Sequence, residues 1–101
     1  MTTWVPFEYR DFYDVPRMIV LRHRGRVFLL DCPFDDISDE YRESYEVFEI
    51  GDLSPDALRG SWKDLRAFSK GRLGIVKVDA VRFDATTRKE VDATSIPALG
   101  L

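Results

Sequence analysis

Cysteine and histidine are almost absent from this chain, which has one of each among its 101 residues, Cys32 and His23. A single cysteine cannot form an internal disulfide, which favours a reducing compartment, so we expect a cytoplasmic protein. A structural zinc site would have to rely mostly on carboxylates, which is unusual. The motifs GxGxxG, GxxxxGK[ST], GxSxG, HExxH and paired CxxC are missing as well. The sequence therefore predicts no metal and no cofactor, and it favours a non-catalytic protein.

Long apolar runs are also missing. The runs MIVL and VFLL are far shorter than the ~20 residues that a helix needs to span a bilayer. The start, MTTWVPFEYRD, lacks the basic and apolar regions of a secretory signal, so we expect neither a leader nor a membrane partner. A hydrophobic share of 45% with 33% charged residues is typical of a folded domain. We expect one globular domain over residues 1–101, with the tail, residues 93–101, ordered in part at most.

Charge is distributed very unevenly. The net charge is −3, but residues 35–56 contain nine acids and one base, Arg42. This segment carries −8, so the rest of the chain carries +5. Such asymmetry can steer a charged partner towards one side of a domain. The alternative is a solvated surface that only keeps the protein soluble.

Residues 17–32 predict a β-hairpin around a two-residue turn, Arg24-Gly25, because glycine accepts the positive φ that such turns require. The turn fixes the cross-strand pairs, which are His23–Arg26, Leu21–Phe28, Val20–Leu29, Ile19–Leu30 and Arg17–Cys32. Both faces are apolar in mid-strand. We therefore expect this hairpin at the centre of a sheet or in a small barrel.

Alternating apolar residues predict further strands at 4–10, 76–79 and 81–84, with a bulge or bend at Ala80, and a hairpin loop at 86–89 leads to a last strand at 90–92. Residues 44–50 fit an interior strand, although Tyr41, Tyr45 and Phe48 also fit helical spacing, and the acidic residues 35–44 indicate a loop. Pro6 places the first strand at an edge or beside a bulge. Two short helices are expected between these strands. Their start signals are Ser54-Pro55-Asp56 and Ser61–Asp64, their apolar stripe is Leu58, Trp62, Leu65 and Phe68, and their stops are Gly71 and Gly74.

The predicted fold class is therefore α+β. We expect a strongly bent, mostly antiparallel sheet or small barrel of about five to six strands, with one or two short helices inserted before the last hairpin.

One candidate site uses the polar residues near the end of the hairpin. Asp31, Cys32 and Asp35 would line the mouth of a pocket if the protein were a small enzyme or a small-molecule-binding domain. A dyad of Cys32 with His23 is disfavoured, because the thiol lies six residues beyond the partner of His23, or about 20 Å. The acids at 31, 35, 36, 39 and 40 do not follow the DxDxDG calcium pattern, so no metal site is predicted.

The hairpin tip is basic, with Arg22, Arg24 and Arg26 around His23. A two-stranded ribbon of this kind can follow a phosphate backbone. The acidic segment would repel the same polymer, and the sequence pI is about 5.1. Nucleic-acid binding is therefore disfavoured.

The preferred hypothesis is a protein-interaction or regulatory module of the inhibitor or immunity type, which meets a basic protein through an acidic surface that contains aromatic residues. The residues expected to touch this partner are Asp39, Glu40, Tyr41, Glu43, Tyr45 and Glu46. Most of the rings crowded into the first thirteen residues, among them Phe7, Tyr9, Phe12 and Tyr13, are expected in the core; the alternative is that some are exposed and form a contact patch. A homodimer through an exposed edge strand is compatible with these readings.

Overall fold

The computed structural model describes residues 3–51, 55–59, 62, 65–86 and 89–99. They form eight strands, which are β1 (Trp4–Tyr13), β2 (Val15–His23), β3 (Arg26–Asp31), β4 (Phe34–Asp35), β5 (Glu40–Tyr41), β6 (Ser44–Ile50), β7 (Ser69–Lys77) and β8 (Glu90–Asp92). Five short 3-10 turns accompany them, at Pro55–Leu58, Leu65–Phe68, Val78–Ala80, Ala93–Ser95 and Pro97–Leu99.

Six of the strands form one antiparallel sheet in the order β7-β6-β3-β2-β1-β8, and β4 pairs with β5 in a separate small hairpin. The predicted antiparallel sheet of about six strands is confirmed. The barrel is not formed, because the sheet is open and its two outermost strands, β7 and β8, do not pair within the described residues. The expected α+β class is also wrong, since the described residues contain only 3-10 turns of three or four residues and no longer helix. The protein is mostly β.

The β2–β3 hairpin lies at the centre of the sheet, and its predicted register is confirmed at every pair from His23–Arg26 to Ile19–Leu30. The turn has φ of 53° at Arg24 and 75° at Gly25, the left-handed conformation of a two-residue hairpin loop. Beyond the last ladder pair, the amide of Cys32 donates to the carbonyl oxygen of Arg17 at 2.8 Å. Turn chemistry alone therefore sets the register of the central strands.

Pro6 marks a change of partner along β1. Residues 4–6 pair with β8, and the pairing with β2 begins at Phe7. A proline has no N–H to donate to a ladder, so a change of partner is a tolerated place for one inside a sheet.

One face of the sheet buries the larger part of the core. Its central residues are Ile19, Leu21, Phe28, Leu30, Tyr45 and Val47. The C-terminal tail covers this face, because Ala93, Ile96 and Leu99 are buried in the same cluster. Residues 93–99, expected to be ordered in part at most, thus form two turns that pack on the core up to Leu99.

The opposite face is covered by the segment between β6 and β7. Its Trp62 and Leu65 are buried against Val20, Leu29 and Phe48. Leu58, Trp62 and Leu65 of the predicted apolar stripe pack on this face, whereas its fourth residue, Phe68, is exposed. The proposed start signals at 54, 61 and 64 lie outside the described residues.

The stops predicted at Gly71 and Gly74 lie inside β7, which runs from Ser69 to Lys77. A Cβ at Gly74 would stand 3.2 Å from the Cβ of Ala98, so glycine permits the close approach of the tail. The bend expected at Ala80 is confirmed as the turn Val78–Ala80. The described residues contain no helix that is long and apolar enough to cross a membrane.

Candidate functional site

The aromatic half of β1 is only partly covered. Among the described residues, the β1–β8 ladder covers residues 4–6 and is followed by one bond from the N–H of Phe7 to the carbonyl oxygen of Lys89 at 3.2 Å, whereas the β1–β2 ladder extends from Phe7 to Tyr13. Two strained aspartates shape the end of this strand, with φ of 60° at Asp11 and 64° at Asp14. Tyr9 and Phe12 are left 45% and 55% exposed. The expectation that most of these rings lie in the core is therefore wrong, and the alternative, an exposed aromatic patch, is present.

The rings of this patch form a continuous row. Phe7 contacts Phe83 with centroids 5.6 Å apart and Tyr9 at 6.1 Å, and Tyr9 contacts Phe12 at 5.9 Å. The row borders a groove with a volume of about 420 Å³. The residues that line it are Phe7, Tyr9, Phe12, Asp14, Val15, Pro16, Phe83, Asp84 and Ala85. A concave, largely aromatic site with few polar groups is typical of a binding site.

A second ring cluster adjoins the groove through Tyr13, which lies in the chain between two groove residues, Phe12 and Asp14. The Tyr13 ring is 62% exposed and lies 5.5 Å from Tyr41. Tyr41 also contacts Phe34 at 5.1 Å, and the guanidinium of Arg17 lies over its ring at 4.6 Å. These contacts tie the small β4–β5 hairpin to the β1–β2 turn.

The β4–β5 hairpin, residues 34–41, carries four acids and no base. This is the part of the expected loop 35–44 that folds into strands. The carboxylate of Asp35 accepts the N–H of Ile37 at 3.0 Å, and Asp39 adopts φ 57°. The connection therefore holds Ile37 outward, 98% exposed between the acids. We call this element the acidic hairpin.

The residues expected to touch a partner divide into two groups. Asp39, Glu40 and Tyr41 lie together in the acidic hairpin, and Glu43 is exposed just after it. Tyr45 and Glu46 lie outside this hairpin, in strand β6. Neighbouring side chains of a strand point to opposite faces of the sheet, so these two residues do not share one surface.

Tyr45 is fully buried and donates its hydroxyl to the carbonyl oxygen of Pro16 at 2.6 Å. Burial is the main reason why the pKa of this phenol is raised far above its ordinary value. Glu46 instead forms ion pairs with Arg66 at 3.2 Å and with Arg72 at 3.9 Å. Tyr45 therefore has no surface for a partner, and the charge of Glu46 is partly neutralised within the molecule.

The side chains of Asp31, Cys32 and Asp35, which were expected to line an alternative pocket, each contact a different part of the molecule and do not line one site. Cys32 is 1% exposed, and its thiol lies 2.9 Å from the carbonyl oxygen of Arg42, to which it donates. Asp31 precedes Cys32 and forms an ion pair with Arg66 at 2.8 Å. Burial raises the pKa of Asp31, although Arg66 opposes this effect. Asp35 is occupied by the turn at Ile37, and none of the three lines the groove described above.

At the basic hairpin tip, Arg26 has an internal partner. Its guanidinium donates two hydrogen bonds to Glu49, at 2.6 and 3.1 Å, and lies 5.0 Å from the ring of Phe28. These hydrogen bonds are the main reason why the pKa of Glu49 is lowered. Arg26 is therefore already paired within the molecule and is not available for a phosphate contact.

Sequence reasoning missed Ile37, Phe34, Phe83 and Asp14. Ile37 had a local signal, because it is the only strongly apolar residue within the acidic run DDISDE. Phe83 had none, since 76 residues of chain separate it from Phe7, with which it forms the groove. In the described part of the chain, no three His, Cys, Asp or Glu side chains are arranged to hold a metal ion.

Comparisons of this chain with protein-family models, with curated proteins and with solved structures find no match. Its function is therefore argued from the surface just described.

Proposed function

We propose that this protein is a non-catalytic interaction module, of the inhibitor or immunity type, that binds a basic protein surface. The observation that supports this proposal most strongly is the acidic hairpin with Ile37 almost fully exposed among its carboxylates. An apolar residue in this position contributes little to the fold, but it can fill a pocket on a partner. The single cysteine supports a cytoplasmic location within the same proposal.

The acids of the hairpin supply the steering. Asp36, Asp39 and Glu40 are exposed, and their carboxylates form no hydrogen bond or ion pair with any residue that the structure describes. Their field is thus not cancelled locally, in contrast to that of Glu46. Charges of this kind mainly increase the rate of encounter with an oppositely charged surface. This increase becomes smaller as salt is added, because salt screens the charges.

The apolar residues supply the affinity. Ile37 lies at the centre of the acids, and Tyr13, Phe12 and Tyr9 extend the surface towards the groove. Large side chains surrounded by polar residues are the usual hot spots of protein interfaces. Catalysis by Cys32 is not proposed, because its thiol is buried and hydrogen-bonded.

The test begins with affinity capture of a partner from the source cell at low salt, followed by titration of the purified partner. The triple variant Asp36→Asn/Asp39→Asn/Glu40→Gln should bind about tenfold more weakly and lose most of its salt dependence. Ile37→Ser should weaken binding by a similar factor of about ten, with the salt dependence retained. Asparagine tolerates the positive φ of Asp39, so the fold should not change.

A matched control removes three exposed acids elsewhere in the chain, in the variant Glu8→Gln/Asp56→Asn/Asp79→Asn. The control has the same net charge as the hairpin variant. If the two triple variants bind equally well, net charge alone matters and the proposed surface is wrong. If Ile37→Ser also leaves the affinity unchanged, the hairpin is not the interface.

A further inference from the structure

We infer that the aromatic groove beside the acidic hairpin is a receptor for an arginine side chain of the partner protein. This inference rests on the proposed function, because it specifies which partner group the surface holds. The acidic hairpin would bring a basic protein to this side of the molecule, and the groove would select one of its cationic side chains.

The groove offers ring surface without an internal cation. Phe7, Tyr9, Phe12 and Phe83 border it, and no guanidinium lies over any of these four rings among the described residues. The row is not flat, since the Tyr9 and Phe12 rings are inclined at 58° and those of Phe7 and Phe83 at 61°. Inclined rings present both faces and edges to a guest in the groove.

The other rings of this protein show what such a surface binds. Guanidinium groups lie over Trp62, Tyr41, Phe48 and Phe28, with distances to the ring centroids of 4.7, 4.6, 4.8 and 5.0 Å. The negative face of an aromatic ring attracts a cation, and the planar guanidinium can stack on it. The rings of the groove have the same chemistry; Tyr9 and Phe12 are exposed to solvent, whereas Phe7 and Phe83 are partly buried against the core.

The charge of the groove favours the same guest. Among the described residues, its lining contains two aspartates, Asp14 and Asp84, and no lysine, arginine or histidine. Asp84 accepts the N–H of Thr86 at 2.8 Å and has a further partner, so Asp14 is the carboxylate on which this inference depends. The backbone of Asp14 is fixed at φ 64° in the tight β1–β2 turn, next to the exposed Phe12–Tyr13 pair. A carboxylate beside a ring accepts the two parallel N–H bonds of an arginine better than the single ammonium of a lysine. The volume of about 420 Å³ is ample for one side chain.

The test is an NMR titration of the folded protein with three small probes. N-acetyl-arginine N-methylamide should cause saturable shifts at Tyr9, Phe12 and Asp14, with a Kd on the order of millimolar. The citrulline analogue has the same shape without the charge, and it should bind at least about fivefold more weakly. Tighter binding of benzyltrimethylammonium than of the arginine probe would overturn the inference in favour of a small quaternary ammonium ligand, and equal binding of citrulline would reduce the groove to an apolar cleft.

Two variants test whether the arginine probe binds in the groove. Phe12→Leu keeps an apolar side chain and removes a ring, and Asp14→Asn keeps the backbone conformation and removes a charge. Each should weaken binding of the arginine probe by about threefold or more. The control is Tyr13→Leu, which removes an exposed ring that does not line the groove and should leave probe binding unchanged. Equal loss in all three variants would contradict a site in the groove.

The experiments distinguish a failure of the arginine-receptor inference from a failure of the proposed function. Partner binding that depends on Ile37 and the hairpin acids, together with an arginine probe that causes no saturable shifts, refutes this inference and leaves the interaction module intact. A probe that binds while no partner depends on the hairpin refutes the proposed function instead.

Discussion

Asp92 joins the two ends of the described chain and is the most informative residue to perturb. Its side chain is 0% exposed. One carboxylate oxygen, Oδ1, accepts the backbone N–H of Thr3 at 3.1 Å and both the N–H and the hydroxyl of Thr94, at 3.0 and 2.7 Å. The other oxygen accepts from the guanidinium of Arg82 at 2.5 Å. These bonds fasten the first residues and the C-terminal turns to β8.

Asp92→Asn preserves the shape of the side chain and isolates the charge. The amide keeps one acceptor oxygen but turns an NH₂ group towards Arg82, where two donors then meet. Hydrogen bonds to charged groups contribute about 1.5–3 kcal/mol each, roughly twice the value of neutral ones. Arg82 is 62% exposed, so water replaces part of its lost partner. We therefore expect a loss of about 2–4 kcal/mol in the free energy of unfolding, up to a third or more of the stability of a typical domain.

The pH dependence has a definite sign. Burial is the largest influence and by itself raises the pKa of Asp92, but the bonds from Thr94, Thr3 and Arg82 outweigh it and lower the pKa from 3.8 to about 2. A carboxyl group with a lower pKa in the folded state stabilises the fold above its unfolded-state pKa. This contribution is complete above about pH 5 and is lost as the pH falls from about 4 towards 2.

Urea unfolding at several pH values measures both effects. The difference between wild type and Asp92→Asn should be constant near neutral pH and should shrink below about pH 4. The control is Asp79→Asn, the same substitution at an exposed carboxylate, which should change stability by less than about 0.5 kcal/mol. An Asp92→Asn protein that is as stable as this control, or a difference that does not change with pH, would refute the reasoning.

Three further outcomes follow from buried contacts. Tyr45→Phe should cost about 1–2 kcal/mol in urea unfolding, because the carbonyl of Pro16 loses its donor. Because the pKa of Tyr45 is raised, its stabilising effect is complete below the unfolded-state pKa, declines as the pH rises above that value, and is lost as the pH rises through the folded-state pKa. Absorbance titrations of wild type and Tyr45→Phe should coincide while both stay folded, and an extra ionising phenol in wild type would contradict this. Arg10→Ala should cost about 0.5–1.5 kcal/mol and shift Trp fluorescence to the red, since Arg10 stacks on Trp62 at 4.7 Å; unchanged emission would mean that the contact does not hold Trp62 in place. Cys32 should react with a thiol reagent only as fast as the protein opens, and immediate labelling of the native protein would show that its burial is wrong.

The sequence predicted the central sheet well because the signals there are local. Arg24-Gly25 fixes a two-residue turn, and the turn fixes the register from His23–Arg26 to Ile19–Leu30. Strand β6 was likewise found at residues 44–50 by alternation. The same alternation also places Tyr45 and Glu46 on opposite faces of β6, so their joint assignment to one surface conflicted with the predicted strand itself.

The predicted helices failed for a different reason. Leu58, Trp62 and Leu65 are spaced as on a helix, but the described residues around them form only the 3-10 turns Pro55–Leu58 and Leu65–Phe68. Their burial is achieved by packing on the second face of the sheet, which requires apolar side chains at the right places and not a continuous helix. A periodic pattern in so short a segment reports which side is buried more reliably than it reports the backbone conformation.

The sequence by itself thus determined the antiparallel hairpins, the acidic character of residues 34–41 and the burial of the mid-strand residues, because turn geometry and side-chain alternation act over a few residues. Only the tertiary structure decided which rings of β1 stay exposed. That depends on the β8 side of β1 being paired no further than Phe7 in the described residues, and on Phe83 reaching Phe7 from a distant part of the chain. The surface on which the proposed function depends is therefore the product of long-range packing, which decides what each strand leaves uncovered.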